Sequence, residues 1–599
     1  MNRCDLHHLP RRTSAVTLFP ALGVLLLGLA GCVGMQAARL QSGEESDADR
    51  YGVKTIGDVT TVGNADALQA GGVGLVVDLE GTGGEPAKDN YRTELEELLN
   101  KKGVKDVKRE LANPNHALVV VTAMIPAGSV KGDPIDVEVT LPAKSGKATS
   151  LRGGKLCECI LFNYDYTKNL SPDYQGSNVP LKGLDVAKCE GPVLVGVGGG
   201  DEAARVKRGR IWSGGRCSRL SPLVLLLNPG DQQARVASLV ADRINEAFRG
   251  GPGDTPDGSA AVAKNNLAIE LHVPPAYRLN MPRYLRVVRF IPLQGSPDQP
   301  GAKEGDARSY RQRLAEDLVN PARTVTASLR LEALGQESIP SLKAGLEAKH
   351  PLVRFCSAEA LAYLDCPAGG EELGRDVAKQ PLLRAFSLTA LASLDESVSH
   401  FQLRDLLTTS SDAEIRYGAF RALRALDESD SLVKGEFLNE SFWLHRVAPD
   451  AAPLVHVSTT QRAEIVLFGE EPTLKAPFSL LAGEFAVTAS GDEDRCTVSR
   501  FPPLGGVKRA QCSLALEEVL RKMAAMGATY PEAIELVEQA DRCSCLSCPA
   551  CRDALPHAVS VFDLANSGRS SLVSPEGEVL AAPQDLGTTP TLYNTNAKK

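Results

Sequence analysis

Apolar positions along the chain change their period twice. From about residue 51 to 300 they come as short runs bounded by Gly or Pro: "GVGLVVDL" (72–79), "ALVVVTAMI" (117–125), "PIDVEVTL" (134–141), "KLCECILF" (155–162), "GPVLVGVG" (191–198), "SPLVLLLN" (221–228) and "LAIELHVP" (267–274). Runs of this length, rich in β-branched residues, predict strands. Two stretches carry helical spacing instead. Arg92 to Asn100 closes at Gly103, and Asp231 to Phe248 sets Val236, Leu239, Val240, Ile244, Ala247 and Phe248 on one face. Strand and helix do not alternate regularly, so a mixed α/β region is expected.

Between Gly305 and Asp427 the pattern becomes helical throughout, rich in Ala, Leu, Glu and Arg. It also repeats. "PLVRFCSAEALAYLD" (351–365) recurs as "PLLRAFSLTALASLD" (381–395) and as "AEIRYGAFRALRALD" (413–427). Arg354, Arg384 and Arg416 align, as do Ala360, Ala390 and Ala422, and Leu364, Leu394 and Leu426; Leu331 and Leu334 hint at an earlier copy. Each unit predicts a helix with an Ala/Leu face, preceded by a less regular helix. The pattern resembles HEAT-type α-solenoid repeats, which stack small residues and present an extended surface to partners. Strand-like runs return with "RAEIVLFG" (462–469) and "EFAVTA" (484–489). Two helices should follow, over about Ser513–Met526 and from Thr529, whose Thr-x-x-Glu with Pro531 is a capping box.

The N-terminus bears on compartment. Arg3, Arg11 and Arg12 precede an apolar run from Ala15 to Ala30, which ends at Leu29-Ala30-Gly31-Cys32. A positive start, a short apolar core and a small-residue exit form an export signal. The stretch resembles a bacterial lipoprotein signal, with Cys32 as the lipidated residue. Val33 rather than Asp follows it, which points to the outer membrane. The expected organisation is an α+β multidomain chain. It comprises a lipoprotein-type signal (1–31), a polar tether (32–50), a mixed α/β region (51–303), HEAT-like helical repeats (304–430), a second mixed region (431–540), and a Cys-rich, then disordered, tail (541–599). With 599 residues, about three or four domains are expected.

Charge and motifs narrow the function classes. A net charge of -8 without a basic stripe argues against a nucleic-acid partner. "GGVGLVVDLEGTGGEPAKDNYRTELEELL" (71–99) has the strand, glycine turn and helix of a phosphate loop. It lacks the chemistry. Asp89 follows Lys88 where Ser or Thr belongs, and Gly81-Thr82-Gly83 is followed by Gly84-Glu85-Pro86 without the third fingerprint glycine. The turn at Gly81 and Gly83 is therefore read as a backbone requirement. No G-x-S-x-G or H-E-x-x-H occurs, and His116, His272, His400 and His456 sit singly beside apolar runs. No catalysis and no cofactor are expected. "CSCLSCPAC" sets Cys543, Cys545, Cys548 and Cys551 close together, with His557 nearby. Disulfides are the cheaper reading in an exported protein, and a metal site through these four cysteines is the other. In Cys157-Glu158-Cys159 the strand pleat turns the two thiols to opposite faces.

Several segments together resemble the bacterial flagellar P-ring protein family. "GGVGLVVDLEGTG" (71–83) is similar to that family's G-x-G-L-V-x-G-L-x-G-T-G, and "NHALVVVTAMIPAGSVKGDPIDVEVT" (115–140) to its strand, proline and G-x-x-I-D-V-x-V segment. "SLRGGKL" (150–156) resembles S-L-x-G-G-x-L, and "GRIWSGG" (209–215) resembles G-R-I-P-x-G-A, with Trp212 in the proline's place. "LVLLLNPGDQQARVASLVADRINEAF" (223–248), "RAEIVLFGEEPTLKAPFSLLAGEFAVT" (462–488) and "SLALEEVLRKMAAMGATYPEAIELVEQ" (513–539) resemble later segments, in family order. The resemblance implies a structural subunit of the periplasmic ring around the flagellar rod, at the peptidoglycan. The partners it implies are copies of itself, the L-ring lipoprotein and the rod. Three features depart from the family pattern: the helical repeats between its two parts, the lipoprotein signal, and the cysteine tail. They open a second reading, an outer-membrane lipoprotein scaffold that recruits a partner through its helices.

Overall fold

The computed structural model describes residues 51–63, 67–166, 180–195, 206–248, 258–294, 304–447, 451–459, 462–491, 494–502, 506–558, 561 and 590–593. The expected signal, Cys32 and the tether lie outside the described residues. Among those described, no helix is long and apolar enough to cross a membrane.

The first region begins with helix α1 (Ile56–Val59) and strand β1 (Thr60–Gly63). Then come β2 (Leu68–Val77), α2 (Asn90–Lys101), α3 (Val107–Ala112), β3 (Ala117–Ile125), β4 (Pro134–Thr140), β5 (Lys155–Tyr166), β6 (Pro180–Pro192), β7 (Leu194–Val195) and β8 (Arg208–Cys217). Strands β2, β3, β4, β8, β6 and β5 pair antiparallel in that order, and β5 returns to β2. The result is a closed six-stranded barrel, with β7 added along β8. Closure leaves no unpaired edge.

Period-2 alternation decides which side chains fill the barrel. On β3, Ala117, Val119, Val121, Ala123 and Ile125 point into the main core, while Leu118 packs outside with Leu95, Val107 and Leu111 of α2 and α3. The bore is narrow. A Cβ on Gly72 would lie 2.5 Å from the Ile160 carbonyl, where β2 bulges against β5. The same crowding explains why β8 is absent from the apolar pattern. Its "GRIWSGG" is glycine-rich, because Gly209, Gly214 and Gly215 lie against neighbouring strands.

Beyond the barrel come β9 (Leu223–Leu227), α4 (Ala234–Ala247), β10 (Ala261–Ala263), β11 (Ala268–Leu271) and α5 (Met281–Phe290). A small antiparallel sheet, β1-β9-β11-β10, shares one core with α4 and α5. The buried stripe of α4 differs from the expected face: it is Ala237, Val240, Ala241 and Ile244, while Leu239 is 41% exposed. Leu239 lies about half a turn away from that stripe. Arg243 is buried instead, donating to the Pro292 carbonyl at 3.1 Å.

Eight helices follow: α6 (Glu304–Leu318), α7 (Thr324–Ala333), α8 (Ile339–Leu346), α9 (Pro351–Tyr363), α10 (Gly370–Lys379), α11 (Arg384–Ser393), α12 (Ser397–Thr409) and α13 (Ala413–Leu426). Helices α7, α9, α11 and α13 pack each on the next, and α8, α10 and α12 pair with α9, α11 and α13. The aligned residues share a role. Ala360, Ala390 and Ala422 are fully buried, as small residues at close helix contacts should be. Arg354, Arg384 and Arg416 each donate to backbone carbonyls, of Ala348 and Lys349, of Val377, and of Ala452 respectively.

The last region holds β12 (Gly435–Leu438), β13 (Phe442–Val447), β14 (Leu454–Val457), β15 (Glu464–Phe468), β16 (Phe478–Ala482), β17 (Phe485–Ala489), β18 (Arg495–Arg500), β19 (Lys508–Ser513), α14 (Leu516–Ala525), α15 (Tyr530–Arg542) and β20 (Ala550–Arg552). Two sheets form, a mixed β12-β13-β15-β14-β20 and an antiparallel β16-β17-β18-β19, and they share a core with α14 and α15. The capping box at α15 is present, with Thr529 N–H donating to Glu532 at 2.9 Å. The boundary expected at 540/541 is not a structural one, since β20 pairs parallel with β14 and extends the sheet. The end of the expected tail, from 562 on, lies outside the described residues, except for 590–593, where Leu592 and Tyr593 are buried.

Candidate functional surfaces and buried junctions

The glycine turn after β2 is occupied by its own backbone. Gly81 N–H donates to the Leu79 carbonyl at 2.9 Å, Gly83 N–H to Pro114 at 2.8 Å and Gly84 N–H to His116 at 2.7 Å. A phosphate cradle needs such N–H groups pointing at a ligand. Here they point at carbonyls. The two glycines serve different ends. Gly81 has φ +76 with open space around its Cβ position, whereas a Cβ on Gly83 would lie 2.2 Å from the His116 carbonyl. Asp89 caps α2 by accepting from Arg92 N–H at 3.0 Å, and Gly103, with φ +80, follows the helix end.

The cysteine segment is folded into the C-terminal region. Cys545 and Cys548 are buried, Cys551 is half-buried on β20, and Cys543 is exposed. Leu546 bridges to Leu474, and Lys475 N–H donates to the Cys545 carbonyl at 2.6 Å. Each of the four is a free thiol, and their sulfurs are not gathered into a metal-sized set. The one such set among the described residues is His400, Asp427 and Asp430. Its carboxylates are already engaged: Asp430 accepts from Arg404 at 2.6 Å, and Asp427 from the Ser429 N–H at 2.9 Å. Cys157 is exposed and Cys159 buried, on opposite faces of β5 as the pleat requires.

Two buried polar junctions, invisible in the sequence pattern, join the helices to their flanks. On the N-terminal side, Arg283 of α5 reaches Glu332 of α7 and Glu359 of α9, each at 2.5 Å. Tyr277 donates to Glu332 at 2.7 Å, and Tyr363 stacks on Tyr277 with ring centres 4.8 Å apart. On the C-terminal side, Glu464 of β15 is fully buried and accepts from Tyr417 of α13 at 2.8 Å and from Arg424. Arg462 lies 3.6 Å from the same carboxylate, and His445 3.7 Å. Burial pushes the Glu464 carboxyl up, but the cations and the Tyr417 hydrogen bond outweigh it and hold it down to about 2. His456 stacks on Tyr417 with ring centres 3.5 Å apart, and burial pushes its imidazole down to about 3.

The chain's last described residues pack against the helices as well. Tyr593 donates to the Gly418 carbonyl at 2.7 Å, Arg421 to the Leu592 carbonyl at 2.5 Å, and Leu592 N–H to the Leu279 carbonyl at 3.2 Å. The outward face of α12 carries Phe401, 68% exposed.

Comparison with known proteins gives this geometry a context. Residues 55–299, which hold the barrel and the small sheet, match the family model of the flagellar P-ring protein. The chain is 28% identical over 260 residues to a flagellar P-ring protein of Oleidesulfovibrio alaskensis, covering 41% of this chain and 61% of that one. It is 28% identical over 302 residues to that of Nitratidesulfovibrio vulgaris, covering 48% and 73%. It is 30% identical over 236 residues to that of Escherichia fergusonii, covering 37% and 56%. The chain thus spans about three fifths of the first of these relatives. The P-ring resemblance read from the segments between 71 and 248 holds, within residues 55–299. The segments at 462–488 and 513–539 lie outside that family match.

Proposed function

We propose that the chain is a structural subunit of the flagellar basal-body P-ring, a non-enzymatic part of the periplasmic ring around the rod. The observation that carries this reading is the family match over residues 55–299, the segment that folds into the closed barrel and its neighbouring sheet. In this reading its partners are further copies of itself, the L-ring lipoprotein and the rod, close to the peptidoglycan. The eight helices act as a HEAT-like solenoid set into the ring body, and lipid on Cys32 ties the chain to the outer membrane. Deleting the gene should abolish swimming, and purified basal bodies should contain the protein. Normal motility together with its absence from basal bodies overturns the proposal.

A second reading is favoured by one observation, the exposed Phe401 on a helical segment that lies beyond the family match. Here a P-ring-like body is an outer-membrane scaffold, and the solenoid recruits a partner. Electron microscopy of the purified full chain separates the two: rings support the first, single particles the second.

A further inference from the structure

Strands β18 and β19 run antiparallel, and their register sets Cys496 directly opposite Cys512. Directly opposed residues of such a pair have Cα atoms roughly 4.5–5.5 Å apart. Disulfides need roughly 4.4–6.8 Å. The side chains already face each other: the two sulfurs lie 3.4 Å apart, and both residues are buried, at 1% and 6% exposure. The core around them is apolar, with Val487, Val498 and Leu516 in the same cluster. The Cys496 thiol also lies 3.3 Å from the Ser513 carbonyl. Cys159 and Cys189 are a second opposed pair, on β5 and β6, whose thiols lie 3.4 Å from the Val73 carbonyl and 3.5 Å from the Cys159 carbonyl respectively.

We propose that Cys496 and Cys512 are a modification site, oxidised in the exported protein to a cross-strand cystine that staples β19 to the sheet. The inference rests on the export reading of residues 1–32, because disulfides persist in oxidising compartments. β19 is an edge strand of its sheet, so the bond would pin a strand that pairs with a single neighbour. The oxidant is an exchangeable disulfide donor. One cysteine thiolate attacks a donor sulfur, forms a mixed disulfide and expels the first donor thiolate. The other cysteine thiolate then attacks the protein sulfur of that mixed disulfide and expels the second. Two protons and two electrons leave the protein, and the donor departs as a dithiol. Burial places this exchange before β19 closes onto β18.

The test is thiol trapping in cells. Cultures are quenched in acid, free thiols alkylated, envelope and cytoplasm separated, and the full-length protein digested with trypsin without reduction. Peptide 496–500 (CTVSR) should be recovered joined to peptide 510–521 (AQCSLALEEVLR), two hydrogens lighter than their sum. Cys512→Ser should leave peptide 496–500 fully alkylated. Recovery of both wild-type peptides alkylated from the envelope fraction overturns the proposal. A chain confined to the cytoplasm overturns the export reading and, with it, the cystine in the cell. Purified full chain, unfolded in urea with its thiols reduced and then refolded in oxidised glutathione, reports on the pairing independently of export. The linked peptide is expected there, and alkylation of both cysteines refutes the pairing itself.

Discussion

The Tyr417 hydroxyl donates to the Glu464 carboxylate at 2.8 Å, across the junction between the last repeat helix and the C-terminal sheet. Tyr417 is 1% exposed and Glu464 fully buried, so nothing but protein satisfies either group. Arg424 and Arg462 complete the pairing of the carboxylate. The helical segment is therefore joined to the sheet by a desolvated polar contact as well as by packing.

Removing either partner should loosen that junction by different amounts. Tyr417→Phe leaves one acceptor position of Glu464 empty and should cost about 1–2 kcal/mol. Glu464→Leu strands the Arg424 guanidinium, while Arg462 keeps Glu428 at 3.7 Å, and should cost about 3–5 kcal/mol. Hydrogen exchange of α13 and β15 in the full-length protein measures both. Equal protection in wild type and Glu464→Leu would refute the assignment.

The same junction should be acid-labile, with a definite sign. Burial pushes His445 down to about 4 and His456 down to about 3, below the ordinary imidazole value of 6.5. The unfolded chain then binds more protons, so stability is full above about pH 6.5 and falls as pH drops through that value. Glu464, held at about 2, contributes stability above its unfolded value of 4.5 that is lost as pH falls from there towards 2. Urea titrations between pH 7 and 4 should show the decline, and His445→Gln with His456→Phe should flatten it. A flat wild-type profile over that range counts against the mechanism.

The N-terminal junction makes a parallel prediction. Arg283 is the cation shared by Glu332 and Glu359, both buried. Arg283→Met leaves two uncompensated carboxylates and should cost at least about 3–5 kcal/mol. Adding Glu332→Leu and Glu359→Met should restore most of the loss, because an apolar set of similar volume needs no counter-ion. Denaturant midpoints of the single and triple variants decide it. A triple variant no more stable than the single one would show that the charges are not the cause.

The glycine turn separates two requirements that look alike in sequence. Gly81→Ala meets no atom within 4 Å and should cost only the left-handed backbone penalty, about 1–2 kcal/mol. Gly83→Ala drives a methyl into the His116 carbonyl and should disturb the start of β3 as well. Hydrogen exchange of β2 and β3 should show the second variant opening more than the first. The reverse order would refute the reading.

Local pattern carried much of this fold. Strand β3 was legible residue for residue, since a buried strand with β-branched side chains needs little beyond its own period. The repeat helices were legible because Arg354, Arg384 and Arg416 keep phase with Ala360, Ala390 and Ala422, and phase is a property of sequence. The missing Lys-Ser/Thr pair was enough to argue against a phosphate loop. Strand β8 was not legible. Its glycines answer to neighbours on β4, β6 and β7, and a run without apolar side chains has no period to read.

Sequence by itself determined strands with a clear period such as β3, the repeat phase and the family segments within 55–299, because each depends on residues near one another in the chain. Tertiary structure alone decided the rest. It closed six strands into a barrel, set Leu239 on the outside of α4 and drew residues 550–552 into the C-terminal sheet. It brought Tyr417 to Glu464, Arg283 to Glu332 and Glu359, and Cys496 to Cys512. Burial, close approach and charge pairing are properties of distance in space, and a side chain's partner across a core leaves no mark on the pattern around it.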